Sequence, residues 1–211
     1  MVLDLWPGGL VPYTMPGDLP NRSRVEQAIE HWNGAGLPVR LLPRTSEADY
    51  VVFVAGDLCS SKRGRAGGAQ QITLTPRCRV GVVLHEIGHA VGLMHEHNRP
   101  DRDTYIERIA LENIYPEALS NFQARPQGDE EPGPYDFESV MHYSQMAFSR
   151  NRGPTIVPKP DKVPRDALIG QRLRLSDGDI ARIKRLYPQK GTVSAPGSSR
   201  LSGTDHEGGT P

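Results

Sequence analysis

The stretch HEIGHAVGLMH, residues 85–95, decides how this sequence is interpreted. The run Val80 to Met94 is apolar on one side, which predicts a helix packed against a sheet. On that helix His85 and His89 lie one turn apart on the same face, so both imidazoles can reach one Zn²⁺ at about 2.0 to 2.1 Å. Glu86 lies too close to the first ligand to coordinate comfortably. Its carboxylate can instead take a proton from a metal-bound water and later pass it to a leaving amine.

A third histidine completes the pattern. It follows His89 by six residues and would point away from the metal unless the chain turned sharply. Gly92 permits the backbone angles of such a turn, so His95 can return to the metal. Three imidazoles with one open position are typical of a catalytic zinc. A bare HExxH occurs by chance on many helices, but HExxHxxGxxH fixes five positions. We therefore predict one zinc per chain, held by His85, His89 and His95, with Glu86 as the general base.

The composition excludes several other classes of protein. The chain of 211 residues carries 25 basic and 25 acidic side chains, so its overall charge does not favour nucleic acid or an anionic membrane. No apolar run is long enough to span a membrane, and the opening MVLDLWPGGLVPYTM lacks the features of a signal peptide. We expect a monomer that binds a protein or peptide substrate at a local site, with neither nucleic acid nor membrane as a partner.

Periodicity predicts an α+β domain of two lobes. Four β-rich runs indicate a small twisted mixed sheet in the N-terminal lobe, and the flanking prolines and glycines of the first run favour an edge strand. The first run is Leu10 to Tyr13, and the others are Val39 to Leu42, Tyr50 to Val54 and Gln70 to Thr75. We expect residues 68–74 to offer an edge to which a substrate could add as an antiparallel strand.

Helix signals surround these strands. In NRSRVEQAIEHWNGAG, Ser23 and Glu26 are spaced as a capping box, which predicts a second long helix in the N-terminal lobe. The half after the zinc motif is polar, rich in proline and dominated by loops. It closes with a helix that Ser176 and Asp179 are predicted to cap and Pro188 to terminate.

Residues 85–103, HEIGHAVGLMHEHNRPDRD, resemble the extended zinc signature of the astacins within the metzincin metallopeptidases. The likeness includes the pair His95 and Glu96 and the RxDRD of residues 99–103, and in order it covers roughly residues 5–188. It implies a metzincin-like fold and a zinc-dependent endopeptidase. We therefore expect a catalytic domain over residues 1–188 and, from its Gly, Ser, Thr and Pro content, a disordered tail over 189–211.

Further on, SVMHY at residues 139–143 resembles the Met-turn of the family. This resemblance implies that Met141 lies beneath the metal site as a packing residue. It also implies that Tyr143 is an additional, displaceable zinc ligand. If Tyr143 leaves the metal when substrate binds, its hydroxyl can stabilise the tetrahedral oxyanion.

The two cysteines, Cys59 and Cys78, could pair or could remain as two buried thiols, and their spacing alone does not choose between these alternatives. Their positions match one of the two disulfides usual in astacins, so the resemblance implies a bridge and an oxidising compartment. The resemblance also implies a secreted or extracellular protein whose targeting and pro-segments are not present in this chain. In the family, release of the pro-segment sends a new N-terminus toward the glutamate after the third histidine, here Glu96.

Two other functions compete with the endopeptidase. One is an amidase that uses the same zinc on cell-wall peptides, and the other is a binding protein that keeps the fold without turnover. Glu86 argues against the second, because a binding protein does not need the general base. Astacins often favour acidic side chains just after the cleaved bond, and Arg150, Arg152 or Arg165 could supply a basic pocket for them.

Overall fold

The computed structural model describes residues 3–126 and 133–188. The predicted tail over 189–211, and Met1, lie outside these ranges. The strands are β1 (Leu10–Thr14), β2 (Arg40–Pro43), β3 (Tyr50–Ala55), β4 (Ser60–Ser61), β5 (Ala69–Leu74), β6 (Ile106–Ile109) and β7 (Ile156–Pro158). The α-helices are α1 (Ser23–Gly34), α2 (Val80–Ala90) and α3 (Asp177–Leu186). Short 3₁₀ helices span Pro7–Gly9, Glu96–Asn98, Arg102–Thr104, Leu111–Asn113 and Pro116–Phe122.

The N-terminal lobe is built on a mixed sheet with the strand order β2-β1-β3-β5-β4. Neighbouring strands run parallel from β2 to β5, and β4 is antiparallel to β5. The expected α+β class and mixed sheet are therefore confirmed. The connection between the parallel strands β1 and β2 contains α1, whereas α2 follows β5, the last strand of the sheet along the chain. The two helices contact each other.

The prediction of an edge position for the first strand is wrong, because β1 lies between β2 and β3. Pro12 is tolerated there because the pairing with β3 begins only at Tyr13. The prediction for residues 68–74 is also incomplete. Strand β4 pairs with Ile72 and Thr73 of β5, so β4 itself forms this edge of the sheet.

The capping box predicted at the start of α1 is absent. Ser23 is the first helical residue, and the N-cap position belongs to Arg22, which makes no side-chain capping bond. The carboxylate of Glu26 accepts a hydrogen bond from Arg22 Nε at 2.9 Å and is therefore used elsewhere. At α3 the prediction is confirmed: Ser176 Oγ accepts from the backbone of Asp179, and the Asp179 carboxylate accepts from the backbone of Ser176.

The apolar core is unevenly divided between the lobes. A large cluster fills the space between α1, α2 and the sheet, and its fully buried members include Trp32, Phe53 and Ile72. A smaller cluster in the C-terminal lobe gathers around the antiparallel pair of β6 and β7 and includes Phe122, Phe137 and other buried residues. The C-terminal lobe is otherwise mostly loop, as the sequence predicts.

The two ends of the domain meet at the end of α2. The Trp6 indole donates to the carbonyl of Ala90 at 2.8 Å, and the Tyr187 hydroxyl donates to the carbonyl of Val91 at 2.9 Å. The Trp6 backbone amide donates in turn to the Tyr187 hydroxyl at 3.4 Å. Both ends are thereby fixed to the helix that carries the histidines.

A disulfide joins Cys59 to Cys78 and confirms the pairing. It connects the start of β4 with the turn before α2. Among the described residues, no helix combines the length and the apolar character that crossing a membrane requires.

Candidate active site

Helix α2 carries two of the predicted ligands on one face. The Nδ1 of His85 donates to the carbonyl of Val140 at 2.8 Å, and the Nδ1 of His89 donates to the carbonyl of Leu93 at 3.0 Å. Because a carbonyl holds the proton on each Nδ1, the lone pair of each ring stays on Nε2. Both Nε2 atoms are thus prepared to bind a metal.

The turn after α2 returns the third histidine. The helix ends at Ala90, and Gly92 adopts a φ of +116°, a region that side chains disfavour. The Leu93 amide then donates to the carbonyl of Gly88 at 2.9 Å, which reverses the chain over the last helical turn. His95 follows with its ring against the other two.

The three histidines form a donor set that fits zinc. His95 Nε2 lies 3.2 Å from His85 Nε2 and 3.2 Å from His89 Nε2. Nitrogens bound tetrahedrally to zinc at about 2.0 to 2.1 Å lie about 3.3 Å apart. Among the described residues, these side chains are a group whose ligand atoms all lie within 4.8 Å of one another. The histidine side chains can therefore accept a zinc ion without moving.

Burial keeps these imidazoles neutral. It lowers the pKa of His85 and His95 well below the usual value, with smaller contributions from neighbouring histidines and Arg172. It lowers the pKa of His89 to about 4. A metal ligand has to be the neutral imidazole, so the environment favours the form that binds zinc.

The predicted general base, Glu86, lies in the wall of a cavity that the three histidines also line. Glu86 is 4% exposed, and burial raises its pKa to about 7 against the opposing effect of Arg172. The cavity has a volume of about 330 Å³ and is lined by Cys59, Ser60, Ser61, Val82, His85, Glu86, His89, His95, Tyr143, Phe148 and Arg172. A carboxylate, three imidazoles and a phenol thus share one open cleft.

Tyr143 lies beside the histidines, and Met141 lies beneath the helix that carries two of them. The Tyr143 ring is 4.6 Å from the His95 ring and 4.0 Å from the nearly parallel ring of His97. Burial raises the pKa of Tyr143 to about 12, so its hydroxyl keeps its proton. Met141 is fully buried, and its sulfur would lie 2.7 Å from a Cβ placed on Gly88. Met141 therefore fills the space that this glycine leaves beneath the ligand helix.

Glu96 anchors the turn that follows His95. It is fully buried, and its two carboxylate oxygens lie 2.6 Å from the Arg182 Nη1 and Nη2 nitrogens. Burial raises the pKa of Glu96 to about 7 while Arg182 and Arg99 lower it. The two short contacts to one guanidinium indicate an ionised carboxylate. Arg99 also forms an ion pair with Asp101 at 2.7 Å.

Several residues at or behind the site escaped sequence analysis. Arg172 lines the cleft, whereas the three arginines predicted for this purpose, Arg150, Arg152 and Arg165, are not among the lining residues. Arg172 lies in a short loop without periodicity, where only its charge could have drawn attention. Arg182 points inward from α3, and its burial is seen only in the structure.

A helix bearing HExxH, together with a third histidine returned by a glycine turn, defines the class of zinc metallopeptidases. The chain belongs to the astacin family: the peptidase family described as Astacin matches residues 2–188. Its members are zinc-dependent endopeptidases, and the donor set of this site fits their metal.

Individual relatives agree with this assignment. The chain is 40% identical over 192 residues to zinc metalloproteinase nas-14 of Caenorhabditis elegans, which covers 87% of this chain and 37% of that protein. It is 39% identical over 211 residues to bone morphogenetic protein 1 of Xenopus laevis, covering 92% of this chain and 30% of that protein. The chain therefore spans well under half the length of these curated relatives.

The fold agrees with a solved structure of the same kind. High choriolytic enzyme 1, a hatching enzyme zinc-protease of Oryzias latipes, superposes with a TM-score of 0.77 at 34% identity. The alignment covers 88% of this chain and 93% of that one. The metzincin-like fold predicted from the sequence is thereby confirmed.

Proposed function

We propose that this chain hydrolyses internal peptide bonds of proteins, with one zinc held by His85, His89 and His95 and with Glu86 as the general base. The observation that carries the proposal is the convergence of three Nε2 atoms, 3.2 Å apart along two sides, in the same open cavity as the Glu86 carboxylate. The zinc, when bound, polarises the scissile carbonyl and lowers the pKa of its water.

Glu86 is the proton carrier of this mechanism. Its position directly after His85 places the carboxylate in the wall of the cleft, beside the ligands but outside the donor set. There it accepts a proton as the nucleophile attacks and donates it to the nitrogen of the leaving amine. The same carboxylate thus serves both halves of the hydrolysis.

Tyr143 supplies a hydroxyl in the same cleft. We infer that it is a displaceable ligand that donates to the oxyanion once substrate is bound, because its ring packs on His95 and its hydroxyl remains protonated. Loss of such a donor costs about 10²- to 10³-fold in kcat. Tyr143→Phe should show that loss with little change in KM, whereas an unchanged kcat would remove Tyr143 from the mechanism.

The substrate is expected to bind in an extended form. Ser60 and Ser61 of the edge strand β4 line the cavity, so a peptide can add to this edge and pass over the histidines. Arg172 in the cleft favours an acidic side chain next to the cleaved bond. Peptides that differ only by Asp or Asn there should differ in kcat/KM for the parent and much less for Arg172→Gln, and no preference in the parent would contradict this specificity.

The main experiment separates metal binding from chemistry. The parent, Glu86→Gln and Glu107→Gln, an exposed control on β6, are incubated with casein while zinc is measured by elemental analysis. We expect about one zinc in all three proteins, and a loss of cleavage of about 10²- to 10⁴-fold in Glu86→Gln alone. Zinc without cleavage in the parent would favour a binding protein. Absence of zinc would overturn the proposal.

The setting of the domain is proposed on similar grounds. The bridge between Cys59 and Cys78 persists in oxidising compartments, which supports a secreted or extracellular protein with residues 1–188 as its catalytic domain. We further propose that the domain acts as a monomer, since the three histidines and Glu86 on which the proposed mechanism depends all belong to one chain. Gel filtration of the active protein tests this, and an active dimer would contradict it.

A further inference from the structure

Helix α3 directs two charged side chains of opposite sign into the protein. Asp179 and Arg182 are three residues apart and therefore lie on one face of the helix. They are 0% and 2% exposed, although charged residues are almost never fully buried unless they are paired. Neither residue lines the cleft, yet each one reaches toward a different histidine of the site.

Asp179 reaches His85 through a single turn of the chain. Its carboxylate accepts from the Ser139 hydroxyl at 2.6 Å and from the Val140 amide at 2.9 Å. The carbonyl of the same Val140 accepts from His85 Nδ1 at 2.8 Å. Val140 thus orients the His85 ring, and Asp179 of α3 holds the backbone of Val140.

Arg182 reaches His95 through Glu96. Arg182 Nη2 donates to one carboxylate oxygen of Glu96 at 2.6 Å, and Nη1 lies 2.6 Å from the other oxygen, so the ion pair is held at two points. Glu96 directly follows His95, and its carboxylate also accepts from the Asp136 amide at 2.7 Å. The backbone that carries this ligand is therefore held from its C-terminal side by α3.

Stability alone is a weak explanation for this arrangement. A buried ion pair contributes little compared with apolar residues of similar volume, because the desolvation of both charges opposes their attraction. The apolar residue next to Arg182, Ile183, already packs α3 into the main core. The polar contacts of Asp179 and Arg182 have a further effect, because hydrogen bonds fix the orientation of the groups that they join.

We propose that Asp179 and Arg182 are positioning residues that set the zinc affinity of the site, Asp179 through Val140 and His85, and Arg182 through Glu96 and His95. This proposal rests on the proposed metal role of the three histidines. Groups that orient metal ligands from behind typically account for about 10- to 100-fold in affinity. Helix α3 thus supports the ligand set from behind, although it contributes no ligand.

The experiment measures zinc affinity by competition with a chelator. Asp179→Asn and Arg182→Gln are compared with Asp177→Asn and Lys184→Gln, which change exposed residues of the same helix. Circular dichroism first establishes that each metal-free protein is folded. We expect the first two variants to bind zinc about 10- to 100-fold more weakly than the parent. Their cobalt-substituted forms should also show altered visible spectra, while both controls match the parent.

A double variant tests the route. If Arg182 acts through Glu96, then Glu96→Gln/Arg182→Gln binds zinc no more weakly than Arg182→Gln alone, because both changes interrupt one pathway. This variant also removes both charges together, which avoids leaving one charge buried alone if Arg182→Gln does not fold. Additive losses in the double variant would contradict the route through Glu96.

The outcomes distinguish this inference from the proposed function. If the parent binds zinc and the variants bind it equally well, with only a lower melting temperature, α3 is a structural support and the inference is overturned while the proposed function stands. If the parent binds no zinc, both fail together.

Discussion

The two lobes of this domain are held together by different means. The N-terminal lobe packs two helices on a five-stranded sheet around a large apolar core. The C-terminal lobe has a two-stranded pair, a small aromatic cluster and long loops that are fixed by buried polar groups such as Glu96, Asp179 and Arg182. The metal site lies where these two types of construction meet.

This difference predicts in which lobe a single substitution has the larger effect. In the N-terminal lobe many apolar contacts each contribute a small part of the free energy of folding, so a small substitution removes only a little of it. In the C-terminal lobe a few hydrogen bonds fix the backbone next to the ligands, and removal of one partner leaves another polar group buried without it. Four measurements test this comparison.

The largest effect is expected from Glu96→Ala. It leaves the Arg182 guanidinium buried without its carboxylate, and breaking such a pair costs about 3–5 kcal/mol. Urea unfolding of the metal-free protein measures this loss, and Glu107→Ala on the exposed side of β6 serves as the control. A loss similar to that of the control would show that the C-terminal lobe does not depend on its buried charges.

Removal of the disulfide is the corresponding test in the N-terminal lobe. Cys59→Ser/Cys78→Ser opens the loop that the bridge closes across 19 positions, which should lower the free energy of unfolding by about 3 kcal/mol. The parent unfolded in the presence of a reducing agent should show the same loss. A variant as stable as the oxidised parent would mean that the apolar core alone secures this region.

A smaller effect is expected at the two helix starts that look alike in sequence. Ser176→Ala removes the hydroxyl that caps α3 and should cost about 1 kcal/mol, because a helix amide loses its acceptor. Ser23→Ala at the start of α1 removes no capping bond and should cost much less. Thermal unfolding of both variants compares them, and equal losses would contradict the assignment of the caps.

The smallest effect concerns acid stability of the N-terminal lobe. The backbone amide of Gly68 and the guanidinium of Arg65 lower the pKa of Asp49 in the folded protein. The unfolded state therefore takes up this proton first, so the stabilisation is complete above the unfolded pKa of about 3.9 and is lost as the pH falls through the folded pKa. The stability difference between the parent and Asp49→Asn should shrink in acid. A stability difference that stays constant from neutral pH into acid would contradict this assignment.

The same contrast between the lobes explains what the sequence could predict. Periodic segments such as α1, α2 and β3 were predictable, because their burial follows a regular spacing. The histidine ligands were predictable because the motif places them on a single helix and its turn. Tyr143 and the pairing of Cys59 with Cys78 required the resemblance to a family.

The missed features depend on contacts between distant parts of the chain. The order of strands that buries β1 is set by where each connection returns, which residue spacing within one strand does not encode. The contact of Arg182 with Glu96 joins residues separated by 86 positions. Arg172 enters the cleft from a loop whose path no local pattern determines.

The meeting of Trp6 and Tyr187 at the end of α2 has a topological consequence. A chain whose first and last described elements touch is nearly a closed ring, so a short linker could join its ends and new ends could be opened in a surface loop. The described part of the chain therefore begins and ends at the same place on its surface. Other domains can therefore be attached at this one place.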